Sequence, residues 1–252
     1  MTAGLDLFAE KFKDYTDEYV IIGGTATSLL LEEQGLSLMR VTKDIDMVVI
    51  VESLSAAFGK AFWAFIKDGG YKVFERSDGM PQFFRFRNPR SAEYPLMIEL
   101  FARKQGGFKT DFKGTIIPIH LSDDLSSLSA ILLNDEYYNL LKGGKTIVGG
   151  VSILSALGLI PFKAKAWLDL SARKADGQKV NSTDISKHQN DIFRLAQLLN
   201  GTEKLDLAEP IITDMANFLN AMDEKEIRMR DIGVGGDKAE IIKILRAVYL
   251  NA

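Results

Sequence analysis

Asp44 and Asp46 stand one residue apart in the apolar run Lys43-Asp44-Ile45-Asp46-Met47-Val48-Val49-Ile50. Side chains on an extended strand alternate faces, so the two carboxylates project the same way while Ile45 and Met47 point oppositely. Like charges side by side repel, and burying them is costly unless something positive compensates. A divalent cation is the natural compensator, and oxygen-only ligation suits Mg²⁺ or Mn²⁺. Taken alone, an Asp-x-Asp is more often a solvated strand start. Other residues have to carry the case.

Two such features are present. Upstream, Tyr19-Val20-Ile21-Ile22 reads as a short strand that ends on Gly23-Gly24, with Thr25 and Ser28 opening a helix. Glycine lets a phosphate approach the backbone closely, and a helix N-terminus offers free N–H groups and a positive dipole end. The pair is neither a Walker A loop nor a dinucleotide fingerprint, because the lysine and the third glycine are missing. Downstream, Glu99 interrupts the apolar strand Leu96-Met97-Ile98-Glu99-Leu100-Phe101. A glutamate turned inward there needs a partner. Beside Asp44 and Asp46 it would complete a three-carboxylate site, in which two metals about 4 Å apart orient a triphosphate and activate an attacking hydroxyl.

The elements that must hold these residues follow from periodicity. Strands are expected at 19–22 and 44–51, joined through a helix at 25–33 as a strand–helix–strand unit. Helices are expected at 5–14 and 55–67, the second stopped by Gly69-Gly70. Strands follow at 71–75, 83–87, 95–101 and 114–119, with turns at Ser77-Asp78-Gly79 and Asn88-Pro89. The stretch 121–153 reads as short strands and turns, with Lys142-Gly143-Gly144-Lys145 as a hairpin turn. From there the pattern is helical: 161–174 with Pro161 in the first turn, 183–199, 208–222, and 237–250 capped by Asp237. The expectation is an α+β protein. A mixed-sheet domain with helices (1–155) carries the metal site, and a helical domain (156–252) completes the nucleotide and acceptor cleft.

Composition sets bounds on function. The chain has 252 residues, 46% hydrophobic and 26% charged, enough to bury a core. It has no cysteine and two histidines, which leaves thiolate sites out and a zinc-hydrolase site poorly supplied. The net charge of −3 argues against indiscriminate coating of nucleic acid. Basic residues cluster locally, at Arg85, Arg87 and Arg90 and again over 163–187. For Arg85 and Arg87, alternating onto one strand face, solvation is the simpler reading. No signal peptide and no membrane-length apolar run is read, so a cytoplasmic location is expected.

Together, Gly23-Gly24, Asp44-x-Asp46 and Glu99 resemble the nucleotidyltransferase superfamily of DNA polymerase beta. Its signature is Gly-Gly or Gly-Ser, an acidic pair on the next strand, and a carboxylate on a later strand. Gly23-Gly24-Thr25-Ala26 with Arg40-Val41-Thr42-Lys43-Asp44-Ile45-Asp46 is similar to the abortive-infection AbiEii group in particular. Phe162-Lys163-Ala164-Lys165-Ala166-Trp167-Leu168-Asp169, followed by Arg173, resembles that group's Lys-rich helix. Lys187-His188-Gln189-Asn190-Asp191-Ile192-Phe193-Arg194-Leu195 resembles its closing Lys-Asp-x-x-Asp-Leu motif, with His188 in place of the first acid. The resemblance spans roughly residues 18–200.

The resemblance implies an enzyme that moves a nucleoside monophosphate from an NTP to an acceptor hydroxyl, with Mg²⁺ or Mn²⁺ as cofactor. Asp44, Asp46 and Glu99 would ligate metal, and Glu99 would help deprotonate the attacking hydroxyl. Gly23, Gly24 and Thr25 would hold the β- and γ-phosphates. Lys163 or Lys165, with Arg173, would balance triphosphate charge, and Asp191 would hold a lysine or base in place. The two lysines, two residues apart, cannot share a helix face, so one is expected to reach the site, and Lys163, with Ala166 and Trp167 following it, matches the group's spacing better. The resemblance further implies a toxin-like role, tRNA or another RNA as acceptor, and a cognate antitoxin as partner. Two alternatives stand beside it: a nucleotide-binding regulator without catalysis, and transfer to a small molecule or a protein.

Overall fold

In the computed structural model the described residues are 4–36, 44–76, 82–103, 116–118, 131–132 and 134–250. The expected turn at Ser77-Asp78-Gly79, the ends of the expected strand 114–119 and the motif residues Arg40 to Lys43 lie outside them. The chain divides into two compact units. The first comprises Met1–Leu29, Val41–Leu121 and Lys145–Ser155, and the second Leu30–Arg40, Ser122–Gly144 and Ala156–Ala252.

The protein is α+β, and its first unit is built on a mixed sheet. The strands are β1 (Tyr19–Ile22), β2 (Asp44–Val49), β3 (Lys72–Arg76), β4 (Gln82–Arg87), β5 (Met97–Ala102), β6 (Ile116–Pro118), β7 (Lys145–Val148) and β8 (Val151–Leu154). They are ordered β6-β3-β4-β5-β2-β1-β8-β7 across the sheet. Helix α1 (Leu5–Phe12) precedes the sheet, α2 (Gly23–Glu33) links β1 to β2, and α3 (Ala56–Asp68) follows β2.

One face of the sheet carries an aromatic layer. Phe8 of α1 packs edge-on against Tyr19 at 5.6 Å, and Phe62 and Trp63 of α3 meet Phe86 and Phe84 at 5.4 and 5.7 Å. Alternation turns Arg85 and Glu99 to the opposite face from Phe84, Phe86 and Leu100. The start of α3 is fixed by Glu18, whose carboxylate accepts from the Ser55 N–H at 2.6 Å and from the Ser55 hydroxyl at 2.9 Å. Ser55 Oγ in turn accepts from the Phe58 N–H, the usual N-cap arrangement.

Strands β1 and β2 pair antiparallel, with Ile22 opposite Asp46. The strand–helix–strand unit is therefore not a parallel crossover. The pairing sets the end of β1, where the glycines lie, against the start of β2, where the aspartates lie.

The second unit is helical: α4 (Asp135–Gly143), α5 (Ala156–Ala175), α6 (Ser182–Ala196), α7 (Glu209–Glu224) and α8 (Lys238–Tyr249). Helix α5 packs against α6 and α7, and α8 packs against α7. Helix α4 corrects the expectation of strands and a hairpin turn at 142–145. Asn134 caps it through the Tyr137 N–H, and Gly143-Gly144 terminates it. The hairpin turn is Gly149-Gly150, both at positive φ, between β7 and β8.

Pro161 is a second correction. It lies inside α5 rather than in its first turn. A proline there cannot donate to the carbonyl four residues back, that of Leu157. The Tyr249 hydroxyl of α8 donates to that carbonyl at 3.0 Å.

Candidate metal and nucleotide site

Glycine is required at position 23 by what lies against it. Its φ is +69°, and a Cβ built on it would stand 2.1 Å from Asp46 Oδ2. The backbone of Gly23, the first residue of α2, therefore forms the wall on which the Asp46 carboxylate rests. Thr25 adds a second tie: its hydroxyl donates to the Asp44 carbonyl at 2.5 Å. Thr27 Oγ1 donates to the Gly23 carbonyl at 2.8 Å, steadying the first turn. Gly23, Thr25, Asp44 and Asp46 thus meet at one corner of the first unit. Thr25 is fully buried. Its side chain anchors the strand start, while Gly23 and Gly24, half-buried at the first turn of α2, are the part suited to a phosphate.

Glu99 reaches this corner through register. Strands β2 and β5 run parallel with Asp46 beside Glu99 and Asp44 beside Met97. Asp46 and Glu99 are direct neighbours across this ladder, and hydrogen bonding with Asp46 acts on the Glu99 carboxyl. Glu99 is 5% exposed, whereas both aspartates are half-buried. Burial pushes the Glu99 carboxyl above its ordinary value. The Arg85 guanidinium opposes that rise most strongly, hydrogen bonding with Asp46 and Arg85 opposes it further, and the Asp44 charge adds to it. Two carboxylates in such contact require a proton or a cation between them.

Arg85 is the residue that sequence reasoning set aside. It stands opposite Glu99 in the β4–β5 ladder, and its Nε donates to Glu99 Oε1 at 2.6 Å. Its alternation with Arg87 suggested a solvated face. Only the β4–β5 register shows that one arginine meets the glutamate, 14 residues further along the chain. Arg87 lies over the Phe74 ring at 4.8 Å.

The donor chemistry of Asp44, Asp46 and Glu99 fits Mg²⁺ or Mn²⁺: oxygen-only, carboxylate-rich and on one sheet face. Among the described residues no group of three or more histidine or acidic side chains is gathered closely enough to hold a metal as it stands. Glu99 is engaged by Arg85.

The remaining sequence-assigned residues belong to the second unit. Lys163 is 4% exposed, and its Nζ pairs with Asp191 Oδ2 at 2.8 Å. Arg194 takes the other Asp191 oxygen at 3.2 Å and donates through Nε to the Ile232 carbonyl at 2.9 Å. Asp191 thus bridges two buried cations, and Arg194 was passed over although it stands within the quoted motif. Lys165 pairs with Asp214 at 2.9 Å, and Asp214 also accepts from the Tyr137 hydroxyl at 2.9 Å. Arg173 contacts Gln178 at 2.9 Å and Asp169 at 3.8 Å. The two lysines meet different acidic partners, as their two-residue spacing requires.

Comparison of the sequence with protein-family models gives no match, and comparison with curated proteins gives none. Among solved structures, an antigenic nucleotidyltransferase-like protein from Paracoccidioides brasiliensis is similar, with a TM-score of 0.46 and 15% identity. The alignment covers 96% of this chain and 90% of that one. At that distance the site has to be read from its own residues. Among the described residues no helix is long and apolar enough to cross a membrane.

Proposed function

We propose that this protein is a metal-dependent nucleotidyltransferase that moves a nucleoside monophosphate from a nucleoside triphosphate onto an acceptor hydroxyl. The observation that carries the proposal is the pairing of Asp46 with Glu99 across β2 and β5, with Asp44 on the same face and Gly23 against Asp46. A buried or half-buried carboxylate group of that kind calls for a cation. Bound there, Mg²⁺ or Mn²⁺ would orient the triphosphate and stabilise the departing pyrophosphate.

Asp44 and Asp46 would hold the cation. Glu99 would serve as a third ligand and would take the proton of the attacking hydroxyl as the new O–Pα bond forms and the bond to pyrophosphate breaks. The backbone N–H groups of Gly23 and Gly24, at the start of α2, would receive the β- and γ-phosphates, with Thr25 fixing the strand start beneath them. Lys165 and Arg173, with side chains 39% and 23% exposed, are the cations of α5 suited to phosphate charge. Lys163 is held by Asp191 and supports the helix pair. The finer reading is a toxin-like enzyme of the AbiEii type acting on tRNA or another RNA in the cytoplasm, with an antitoxin as partner.

A second reading, a nucleotide-binding regulator without catalysis, draws on the grip of Arg85 on Glu99. One experiment separates the two. Purified protein is incubated with Mg²⁺, each α-labelled NTP, and total tRNA, total protein or small hydroxyl acceptors. Label in one acceptor class supports the enzyme and names its substrate. NTP binding with no labelled acceptor leaves the regulator.

A further inference from the structure

One ion pair of the first unit's site is internal. Arg85 and Glu99 are register partners on adjacent strands, 2.6 Å apart, with side chains only 15% and 6% exposed. The sheet itself fixes the contact, because both residues lie on β-ladder positions rather than on loops. Asp44 and Asp46 add two further negative charges on the same face. Guanidinium is permanently charged, so Arg85 brings a cation to this group whether or not a metal is bound.

We infer that Arg85 is the counter-ion of the metal-free site: it neutralises Glu99 in the resting protein and yields that carboxylate when a divalent cation binds. The inference rests on the metal-site reading above and goes beyond it. Arg85 occupies the carboxylate that lies beside Asp46 in the β2–β5 register, where a cation would have to share it. This makes Arg85 a competitor of the metal, since guanidinium and cation repel each other and draw on the same carboxylate. Arg85 is a positioning residue here, acting through Glu99.

The test uses the full-length protein as wild type, Arg85→Gln, Arg85→Lys, Glu99→Gln and the Arg85→Gln/Glu99→Gln double variant. Thermal midpoints are measured in EDTA, and Mn²⁺ binding is measured by calorimetric titration. In EDTA, Arg85→Gln should melt lower than wild type, and adding Glu99→Gln should restore most of the loss. With Mn²⁺, Arg85→Gln should bind on the order of tenfold more tightly than wild type. Arg85→Lys, which keeps a charge without the Nε geometry, should fall between them and serves if Arg85→Gln does not fold. Weaker or unchanged Mn²⁺ binding in the Arg85 variants would overturn the inference, as would additive EDTA midpoints in the double variant. If wild type binds no Mn²⁺ at all, the metal reading fails, while the EDTA comparison still decides whether Arg85 and Glu99 compensate each other.

Discussion

The Gly23 backbone and the Asp46 carboxylate touch so closely that a β-carbon on the glycine would lie 2.1 Å from Oδ2. The antiparallel pairing of β1 with β2 produces this contact by setting Ile22 opposite Asp46. A glycine that ends one strand thereby defines where a carboxylate on the next can sit.

Gly23→Ala should therefore disturb the site twice. The positive φ alone costs about 1 kcal/mol or more for an L side chain, and the contact forces Asp46 to move. The expected outcome is a loss of roughly 2–4 kcal/mol in urea unfolding, by the same reasoning. Any remaining folded protein should bind Mn²⁺ more weakly. Calorimetric titration of the variant checks the second part.

The Lys163–Asp191 pair predicts a stability effect rather than a ligand effect. Both groups are buried, and Arg194 shares the carboxylate. Lys163→Met should cost about 3 kcal/mol, near the lower end for breaking a buried pair, because Arg194 still compensates Asp191. Urea midpoints read this directly. Were Lys163 chiefly a phosphate ligand, the substitution would raise the NTP KM and leave the midpoint in place.

Tyr19 gives a pH dependence. Burial of its ring and hydroxyl in the aromatic layer pushes the phenol from about 10 up to about 12, with the Ser152 backbone opposing part of the rise. The folded state holds the proton more tightly than the unfolded state. Its contribution is fully present below pH 10 and is lost as pH rises through about 12. The loss amounts to about 2–3 kcal/mol. Urea midpoints between pH 9 and pH 12 should fall accordingly, and Tyr19→Phe should flatten that part of the fall.

Much of the first unit was legible because local patterns sufficed. Alternating Asp44-Ile45-Asp46-Met47 announces a strand with its acids on one face, and Gly23-Gly24 announces the strand-to-helix corner. What the sequence could not reveal was register. Nothing near Arg85 says that it stands opposite Glu99, and nothing near Gly23 says that β1 runs antiparallel to β2. Helix α4 was missed because Gly143-Gly144 and Gly149-Gly150 suggested turns throughout. Asn134 followed by Asp135 and Glu136 was an N-cap and first-turn signal in plain view. Pro161 misled for a different reason: the Tyr249 hydroxyl that supports the proline-interrupted turn comes from the far end of the chain.

The central claim is that Asp44 and Asp46 hold the cation on which transfer depends. The most direct measurement is incorporation of α-labelled nucleotide into the acceptor by wild type and by Asp44→Asn/Asp46→Asn, each with Mg²⁺ and with EDTA. Circular dichroism and thermal melting verify that both are folded. Transfer should occur only in wild type with Mg²⁺, and the double variant should fall by at least about a hundredfold. Undiminished transfer by the folded double variant, or transfer by wild type in EDTA, would contradict the assignment.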